Sequence, residues 1–180
     1  MQESFRKLKL KELNRPSIES YKKAKKIPLT VVLDNIRSLH NIGAIFRTSD
    51  AFSIKEIWLI GITAKPPHRE IQKTALGATE TVNWKYFASS ENAIEMLQKN
   101  KVVTICLEQS TNSCSPSSIS IKPGEAYALI LGNEVNGVSL EFMNIANQVM
   151  EIPQSGTKHS LNVSVATGIA IWELYKMLNR

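Results

Sequence analysis

Short, almost entirely apolar segments alternate along this chain with segments of helical periodicity. The apolar segments cover residues 29–33, 56–61, 102–107, 126–131 and 149–152, and the helical ones begin near residue 41 and cover 91–99, 140–147 and 162–178. A strand that is apolar on both sides must be covered on both faces, which is typical of parallel sheets. The pattern therefore predicts an α/β fold with a parallel sheet between two helical layers, and with residues 64–88 mostly in loops.

The size and composition fit a single globular domain. The chain has 180 residues, of which 43% are hydrophobic, enough for one core but not for two large domains. No run of about 18 apolar residues and no apolar leader is visible, so we expect a soluble, cytoplasmic protein. Cys106 and Cys114 show no disulfide or metal-ligand spacing, and the three histidines are scattered, so we predict no metal.

The net charge of +6 is confined to the N-terminal end. Residues 1–26 contain nine Lys or Arg and three Glu, whereas residues 27–180 contain thirteen of each sign. A basic extension on a neutral domain is typical of a protein that meets a polyanion, because neutralising phosphates releases counterions. It is equally typical of a solvated tail. We therefore divide the chain into a basic extension, 1–26, with Phe5 and Tyr21 available for stacking on bases, and a domain, 27–180.

Three polar segments follow predicted strands. In parallel sheets, ligands bind beyond the carboxyl ends of the strands, so the exits after Leu33, Leu131 and Ile152 are the places to search. The first contains Asn41, Gly43 and Arg47; the second reads Gly-Asn-Glu-Val-Asn-Gly over 132–137; the third reads Ile-Pro-Gln-Ser-Gly-Thr-Lys-His-Ser-Leu-Asn-Val-Ser over 152–164.

Each segment also has an ordinary structural interpretation. Arg47 could pair with Asp50 one turn later, and Gly-Asn-Glu could be a common turn. Asn41 is well placed to cap the helix that follows it, and Ser160 and Asn162 to cap the last helix. Small residues near the start of the last helix predict a close approach to neighbouring backbone.

Together, the three segments resemble the SpoU, or TrmH-type, branch of the SPOUT RNA methyltransferases. The resemblance runs from about Ile27 to the C-terminus and rests on three motifs in the family's order. N-x-G-x-x-x-R is present as Asn41, Gly43 and Arg47, and L-G-N-E-x-x-G as Leu131 to Glu134 with Gly137. I-P-x-x-G-x-x-x-S-L-N-V-S-x-A is present as Ile152, Pro153, Gly156, Ser160 to Ser164 and Ala166. Gln154 replaces a commonly apolar residue.

The resemblance implies a C-terminal trefoil knot, a rare exception to unknotted topology, and S-adenosyl-L-methionine bound within it. It implies RNA as substrate, methylated on a ribose 2′-hydroxyl, and a homodimer packed through the knot regions. The strand end Cys106-Leu107-Glu108 would line the adenosine pocket. The implied catalytic residues are Asn41, Arg47, Glu134, Ser160 and Asn162. The implied cofactor-binding residues are Leu107, Glu108, Leu131, Gly132, Asn133, Ile152, Ser160 and Leu161.

The chemistry of these residue types suggests roles within the implied site. A guanidinium almost never releases its proton, so we expect Arg47 to bind the phosphate beside the target ribose rather than to act as a base. Asn41 and Ser160 would hold the hydroxyl, while Asn162 and Glu134 shape the site. Transfer RNA is favoured slightly over ribosomal RNA. The alternatives are a non-catalytic RNA-binding protein with the same fold and, far below it, a dinucleotide enzyme, which would need a G-x-G-x-x-G after the first strand.

Overall fold

The apolar segments form one parallel sheet. The computed structural model describes residues 5–179, and its strands are β1 (Ile27–Asp34), β2 (Ile54–Ile60), β3 (Asn83–Phe87), β4 (Val103–Leu107), β5 (Tyr127–Leu131) and β6 (Gln148–Met150). They pair in the order β3-β2-β1-β5-β4-β6, and every pairing between them is parallel. All the carboxyl ends therefore meet at one edge of the sheet, where the predicted site segments begin.

Helices cover both faces of this sheet, as predicted. They are α1 (Ile18–Lys23), α2 (Leu39–Ala51), α3 (Arg69–Ala75), α4 (Ala78–Thr81), α5 (Ser90–Lys99), α6 (Leu140–Asn144) and α7 (Val163–Leu178). Alternate β1 side chains enter different cores: Val31 and Leu33 pack with α2, α3, α4 and α7, and Val32 packs with α5 and α6. Within residues 5–179, no helix is both long enough and apolar enough to cross a membrane.

The prediction that residues 64–88 are mostly loop is wrong. This region contains α3, α4 and β3. Only Ile71 and Ala75 of α3 are buried, which leaves too few apolar positions for a clear helical period. Strand β3 is an edge strand without a single fully buried residue, so it lacks the apolar run that reveals the other strands.

The start of α2 also differs from the prediction, in a way that affects the site. Ser38, not Asn41, is the N-cap, and its hydroxyl accepts a hydrogen bond from the Asn41 backbone N–H at 3.3 Å. Asn41 therefore lies within the first turn of α2. Because Ser38 caps the helix, the Asn41 amide remains available for other contacts.

The N-terminal extension is anchored at the amino-end edge of the sheet. Tyr21 of α1 is buried, and its hydroxyl donates to the Asp50 carbonyl at 2.9 Å. The Lys26 ammonium lies 2.9 Å from the centre of the Tyr21 ring. The expectation that Tyr21 stacks on RNA bases is therefore wrong, while Phe5 is fully exposed. Residues 1–4 of the predicted extension lie outside the described residues.

Candidate active site

A cavity of about 550 Å³ opens at the carboxyl ends of β4, β5 and β6. Its walls come from segments 107–109, 131–137, 150–154 and 159–166, so the second and third predicted segments meet here. The size lies within the range of small-molecule sites. All the predicted cofactor-binding residues line it, namely Leu107, Glu108, Leu131, Gly132, Asn133, Ile152, Ser160 and Leu161.

Two glycines allow the loop after β5 to fold tightly against this cavity. A Cβ on Gly132 would lie 2.0 Å from the Gly137 carbonyl carbon, and Gly137 has a φ of +69° with the Glu108 carboxylate against it. The backbones of Asn133 and Gly137 exchange two hydrogen bonds of 2.9 Å. Only glycine fits a positive φ without strain, so the spacing of the G-N-E-x-x-G motif follows from this turn.

The Asn133 side chain forms three hydrogen bonds within the protein. Its Oδ1 accepts from the backbone N–H groups of Val135 and Asn136, and its Nδ2 donates to the Asn35 carbonyl at 2.8 Å. These contacts join the loops after β1 and β5. Asn133 therefore lines the cavity while its amide fixes the loop.

A chain of three side chains connects the three predicted segments at the cavity mouth. Asn162 Nδ2 donates to Asn41 Oδ1 at 3.1 Å, and Asn41 Nδ2 donates to Glu134 Oε1 at 3.1 Å. Glu134 and Asn162 also line the cavity. Asn41, whose segment follows β1, thus joins the segments that follow β5 and β6.

The orientation of the Asn162 and Asn41 side-chain amides follows from the groups at the two ends of this chain. Asn162 is the N-cap of α7, as predicted, and its Oδ1 accepts from the N–H groups of Ser164 and Val165. Only its Nδ2 is left to face Asn41. At the other end, an ionised Glu134 can only accept hydrogen bonds, so Asn41 must present Nδ2 to it. Each amide retains one N–H for a ligand.

The structure does not place Arg47 in this cavity. Arg47 is exposed, and its side chain forms no hydrogen bond or ion pair with another residue of the described part. It follows Asn41 by six residues, which on an α-helix is about 9 Å along the axis and about 120° around it. It does not pair with Asp50 either; Asp50 Oδ1 accepts a hydrogen bond from Thr81 Oγ1 at 2.6 Å instead.

The cavity wall is acidic. Glu108, Glu134 and Glu151 line it, and no Lys or Arg does among the described residues. Glu108 accepts backbone N–H groups on both oxygens, from Gln109 and Val138 at 2.9 Å each. Such a wall favours a ligand that carries positive charge over an anionic one.

One expectation for the residues near the cavity is wrong, and a second fails at Gly168. Cys106 does not line it, because strand residues alternate between faces and Cys106 packs with the α6 side of the sheet. There, burial raises the pKa of its thiol to about 12, with the Glu108 and Asp34 charges adding to the shift. At Gly168 an added Cβ would meet no atom within 4 Å, so this position does not bring α7 close to neighbouring backbone within the protomer.

Sequence reasoning missed several residues of the cavity wall. These are Gln109, Val135, Met150, Glu151 and His159; four further wall residues, Gly137, Gln154, Val163 and Ala166, belong to the motif segments but are not among the predicted cofactor-binding residues. Gln109 Nε2 donates to the His159 carbonyl at 3.0 Å across the opening. Gln109, Val135 and Glu151 lie within four residues after the end of a strand, so the strand exits are the signal that could have found these three.

Relatives of this chain modify RNA. The 23S rRNA (guanosine-2′-O-)-methyltransferase RlmB of Haemophilus influenzae is 30% identical over 92% of this chain and 67% of its own length. The tRNA (guanosine(18)-2′-O)-methyltransferase of Aquifex aeolicus is 32% identical over 81% of this chain and 67% of its own length. The crystal structure of AdoMet-bound rRNA methyltransferase from Sinorhizobium meliloti superposes with a TM-score of 0.78 at 28% identity.

That superposition covers 88% of this chain but only 60% of the Sinorhizobium protein, so the chain spans about three fifths of that structure and about two thirds of the two sequence relatives. The model of the SpoU rRNA Methylase family matches residues 28–172, a range that contains the three motifs and the cavity. This chain belongs to the SpoU rRNA methylase family.

Proposed function

We propose that this protein transfers a methyl group from S-adenosyl-L-methionine to a ribose 2′-hydroxyl of RNA. The observation that carries the proposal is the hydrogen-bonded chain from Asn162 through Asn41 to Glu134 at the mouth of a ligand-sized cavity. Relatives named as 2′-O-methyltransferases of 23S rRNA and of tRNA support it, and make both RNA classes candidates. The trefoil knot implied by the sequence resemblance is part of this proposal.

The cavity suits S-adenosyl-L-methionine by its charge and its surface. Leu107, Leu131 and Ile152 supply apolar wall for an adenine ring, and the Glu108 and Glu151 carboxylates favour a cationic sulfonium. A dinucleotide would bring a pyrophosphate, which the same carboxylates repel. The eight cofactor-binding residues predicted from the sequence are the ones we propose to hold the molecule.

The reaction needs alignment more than electrophilic assistance. When bound, S-adenosyl-L-methionine would supply a methyl group already activated by the positively charged sulfur and would leave as S-adenosyl-L-homocysteine, while the proton of the 2′-hydroxyl would pass to water. The free N–H of Asn41 and the Ser160 hydroxyl would hold the acceptor hydroxyl in position, which lowers the entropic part of the barrier. Glu134 and Asn162 would act through Asn41 by fixing its amide.

We assign Arg47 to the site of a second protomer. On α7, Val165, Ile169 and Trp172 form a half-exposed apolar stripe, and its Trp172 ring lies 5.8 Å from that of Phe52, just beyond the end of α2. Two copies that pack through this stripe would bring Arg47 of one protomer toward the other, where its planar guanidinium can bind a phosphate.

The first test separates the proposed enzyme from the non-catalytic alternative. Calorimetry measures S-adenosyl-L-methionine binding, and the labelled compound is incubated with separate pools of tRNA and rRNA that are then digested to nucleosides. We expect binding and a labelled 2′-O-methylnucleoside from one pool. Binding without transfer to any pool would favour the non-catalytic RNA-binding protein, and absence of binding would refute the cofactor assignment.

The second test concerns the shared site. Arg47→Ala and Asn162→Ala variants are each expected to be inactive, but a mixed dimer of the two contains one intact composite site and should recover activity. If mixing restores nothing although sedimentation shows mixed dimers, Arg47 does not act across the interface. A protein that sediments as a monomer while active would also overturn the assignment.

A further inference from the structure

Among the described residues, three exposed cations on the segments that follow β1 and β2 lack the acidic partners that neighbouring cations of residues 27–180 have; two lie on loops and the third, Arg69, begins α3. Arg37, Lys65 and Arg69 are exposed and form no ion pair with another residue in the described part of the chain. By contrast, Lys73 pairs with Glu70 at 2.7 Å and Lys85 pairs with Glu56 at 3.1 Å. Three charges on one side of the molecule are therefore uncompensated, although residues 27–180 are neutral in total.

These loops are continuous with the mouth of the cavity. The Arg37 backbone N–H faces Glu134 Oε2 at 3.5 Å. One residue earlier, the Ile36 N–H donates to Thr63 Oγ1 at 3.0 Å, and Asn35 Oδ1 accepts from the Ile62 N–H at 3.2 Å. The loop that carries Lys65 is thus fastened to the loop that carries Arg37, and that loop adjoins the proposed reaction site.

The Lys65 ammonium is held in place by an aromatic ring. It lies 4.2 Å from the centre of the Tyr86 ring near the end of β3. The Tyr86 hydroxyl in turn donates to the Gly61 carbonyl at 3.0 Å, which fixes the ring to the same loop. A cation over the face of an aromatic ring is attracted to it, so this contact restricts the position of the Lys65 ammonium.

The neighbouring acid does not neutralise this surface. Glu70 follows Arg69, and its carboxylate contacts Lys73 and His40. Hydrogen bonds from Lys73 and then His40 hold the pKa of Glu70 below its usual range. The side chain is therefore already satisfied, and Arg69 keeps its charge for an external partner.

We propose that Arg37, Lys65 and Arg69 bind phosphates of the RNA strand that flanks the methylated ribose. The inference rests on the proposed function and adds the surface that receives the substrate. Strand β3 is three places from β5 in the sheet, about 14 Å at the usual strand spacing. The surface therefore extends a few nucleotides beyond the cavity mouth.

The position of these three cations matters because the basic extension is anchored at the amino-end edge of the sheet, away from the cavity. Tyr21 binds Asp50, nine residues after Asn41 on α2 and so about 14 Å along the helix axis from the cavity mouth. Within one protomer, the extension therefore starts at the opposite edge of the sheet. The cations that follow β1 and β2 thus lie nearer to the site of their own protomer than Tyr21, the anchored residue of the extension, does.

The test compares two triple variants with the same loss of charge. Arg37→Gln, Lys65→Gln and Arg69→Gln remove the proposed surface, and Lys55→Gln, Lys99→Gln and Lys101→Gln remove three exposed cations at the amino-end edge of the sheet. RNA affinity is measured against salt concentration on the full-length protein, with the RNA pool that the wild type methylates, or total tRNA if it methylates none.

Contacts with phosphates make RNA affinity depend on salt concentration in a defined way. Each contributes about 0.7–0.9 to the slope of log K against log salt. The loop variant should lose about two units of slope and bind roughly 100-fold more weakly at 0.1 M salt, whereas the amino-end variant should keep the wild-type slope. Arg37→Lys with Arg69→Lys retains the charges and should retain the slope as well.

Equal slopes for the wild type and the loop variant, or equal losses in the two triple variants, would overturn the inference. Unchanged thermal unfolding and S-adenosyl-L-methionine binding in the loop variant exclude misfolding as the cause of a loss. If the loop variant is misfolded, Lys65→Gln alone should still lower the slope by nearly one unit. Failure of methyl transfer by the wild type concerns the proposed function instead, because the binding comparison does not require turnover.

Discussion

Replacing Asn41 with Asp tests the hydrogen-bonded chain at the cavity mouth directly. The wild-type amide nitrogen lies 3.1 Å from Glu134 Oε1, so Asn41→Asp would replace a donor by a second carboxylate at nearly this distance. Two unit charges 3.1 Å apart repel by about 1 kcal/mol in water and by about 5 kcal/mol at an effective dielectric constant of 20. Asn162 could still donate to the new carboxylate.

The expected loss lies near the lower of these limits. Both side chains are accessible to solvent, and a negative charge in the first turn of α2 gains about 0.3–1 kcal/mol from the helix dipole. The lost hydrogen bond to Glu134 costs about 0.5–1.5 kcal/mol more, and we therefore expect Asn41→Asp to lower the free energy of unfolding by about 1–2 kcal/mol at pH 7 and low salt. The loss should shrink as the pH falls toward about 4, because the repulsion favours protonation of one carboxyl of the pair, and it should shrink in 1 M salt.

A double variant provides the decisive comparison. Glu134→Gln combined with Asn41→Asp exchanges donor and acceptor, so the amide introduced at position 134 can donate to the carboxylate introduced at position 41, and the contact is restored in reverse. Urea unfolding of the wild type, both single variants and the double variant gives a coupling energy, which we expect to be favourable by at least about 1 kcal/mol. A coupling energy near zero would show that Asn41 and Glu134 do not interact, and would refute the orientation argued for the Asn41 amide.

Three further outcomes follow from packing and burial. Gly43→Ala would place a Cβ 2.3 Å from a backbone carbonyl oxygen of α3 and should lower the free energy of unfolding by about 1–3 kcal/mol. Gly168→Ala, where the Cβ meets no atom of the protomer within 4 Å, should raise it by up to about 1 kcal/mol. Equal melting temperatures of the two variants would contradict this. Burial raises the pKa of Tyr21 to about 12, so the folded chain keeps a proton that the unfolded chain loses near pH 10. Stability should therefore fall between pH 10 and 12, and less steeply in Tyr21→Phe, as followed by circular dichroism. A thiol reagent at pH 8 should label Cys114 well before the buried Cys106, as peptide mapping would show, and equal rates would mean that β4 opens readily.

The strands and cavity wall were predictable because their signals are local. An apolar run such as 127–131 must be buried whatever surrounds it, and parallel strands place their exits on one edge, so the predicted wall residues lie together. The α3 helix and the β3 strand were not predictable, because their side chains are mostly exposed and their formation depends on packing against α2 and β2. A contact such as Thr74 Oγ1 to the His40 carbonyl leaves no periodic trace in the sequence.

Site residues show the same division between local and distant signals. The capping role of Asn162 follows from its own segment, and the structure shows it. The capping role expected for Asn41 was displaced by Ser38, and only the folded chain shows that Asn41 instead joins residues 93 and 121 positions away. Arg47 is the reverse case: its motif assigns it to the site, but its position on α2 keeps it out of the cavity of its own protomer.

The linear sequence does not show which cations of the folded domain are left without an acidic partner and are available to bind RNA. Counting charges assigns the whole excess to residues 1–26 and leaves the domain neutral. In the fold, however, Lys73 and Lys85 are compensated by acids next to them, while Arg37 and Lys65 near the cavity are not. Since exposed charges act over about 10 Å at 0.1 M salt, an RNA strand at the cavity mouth meets this local excess rather than the domain's net charge. A neutral domain can therefore carry a phosphate-binding surface, provided that its acids are paired elsewhere.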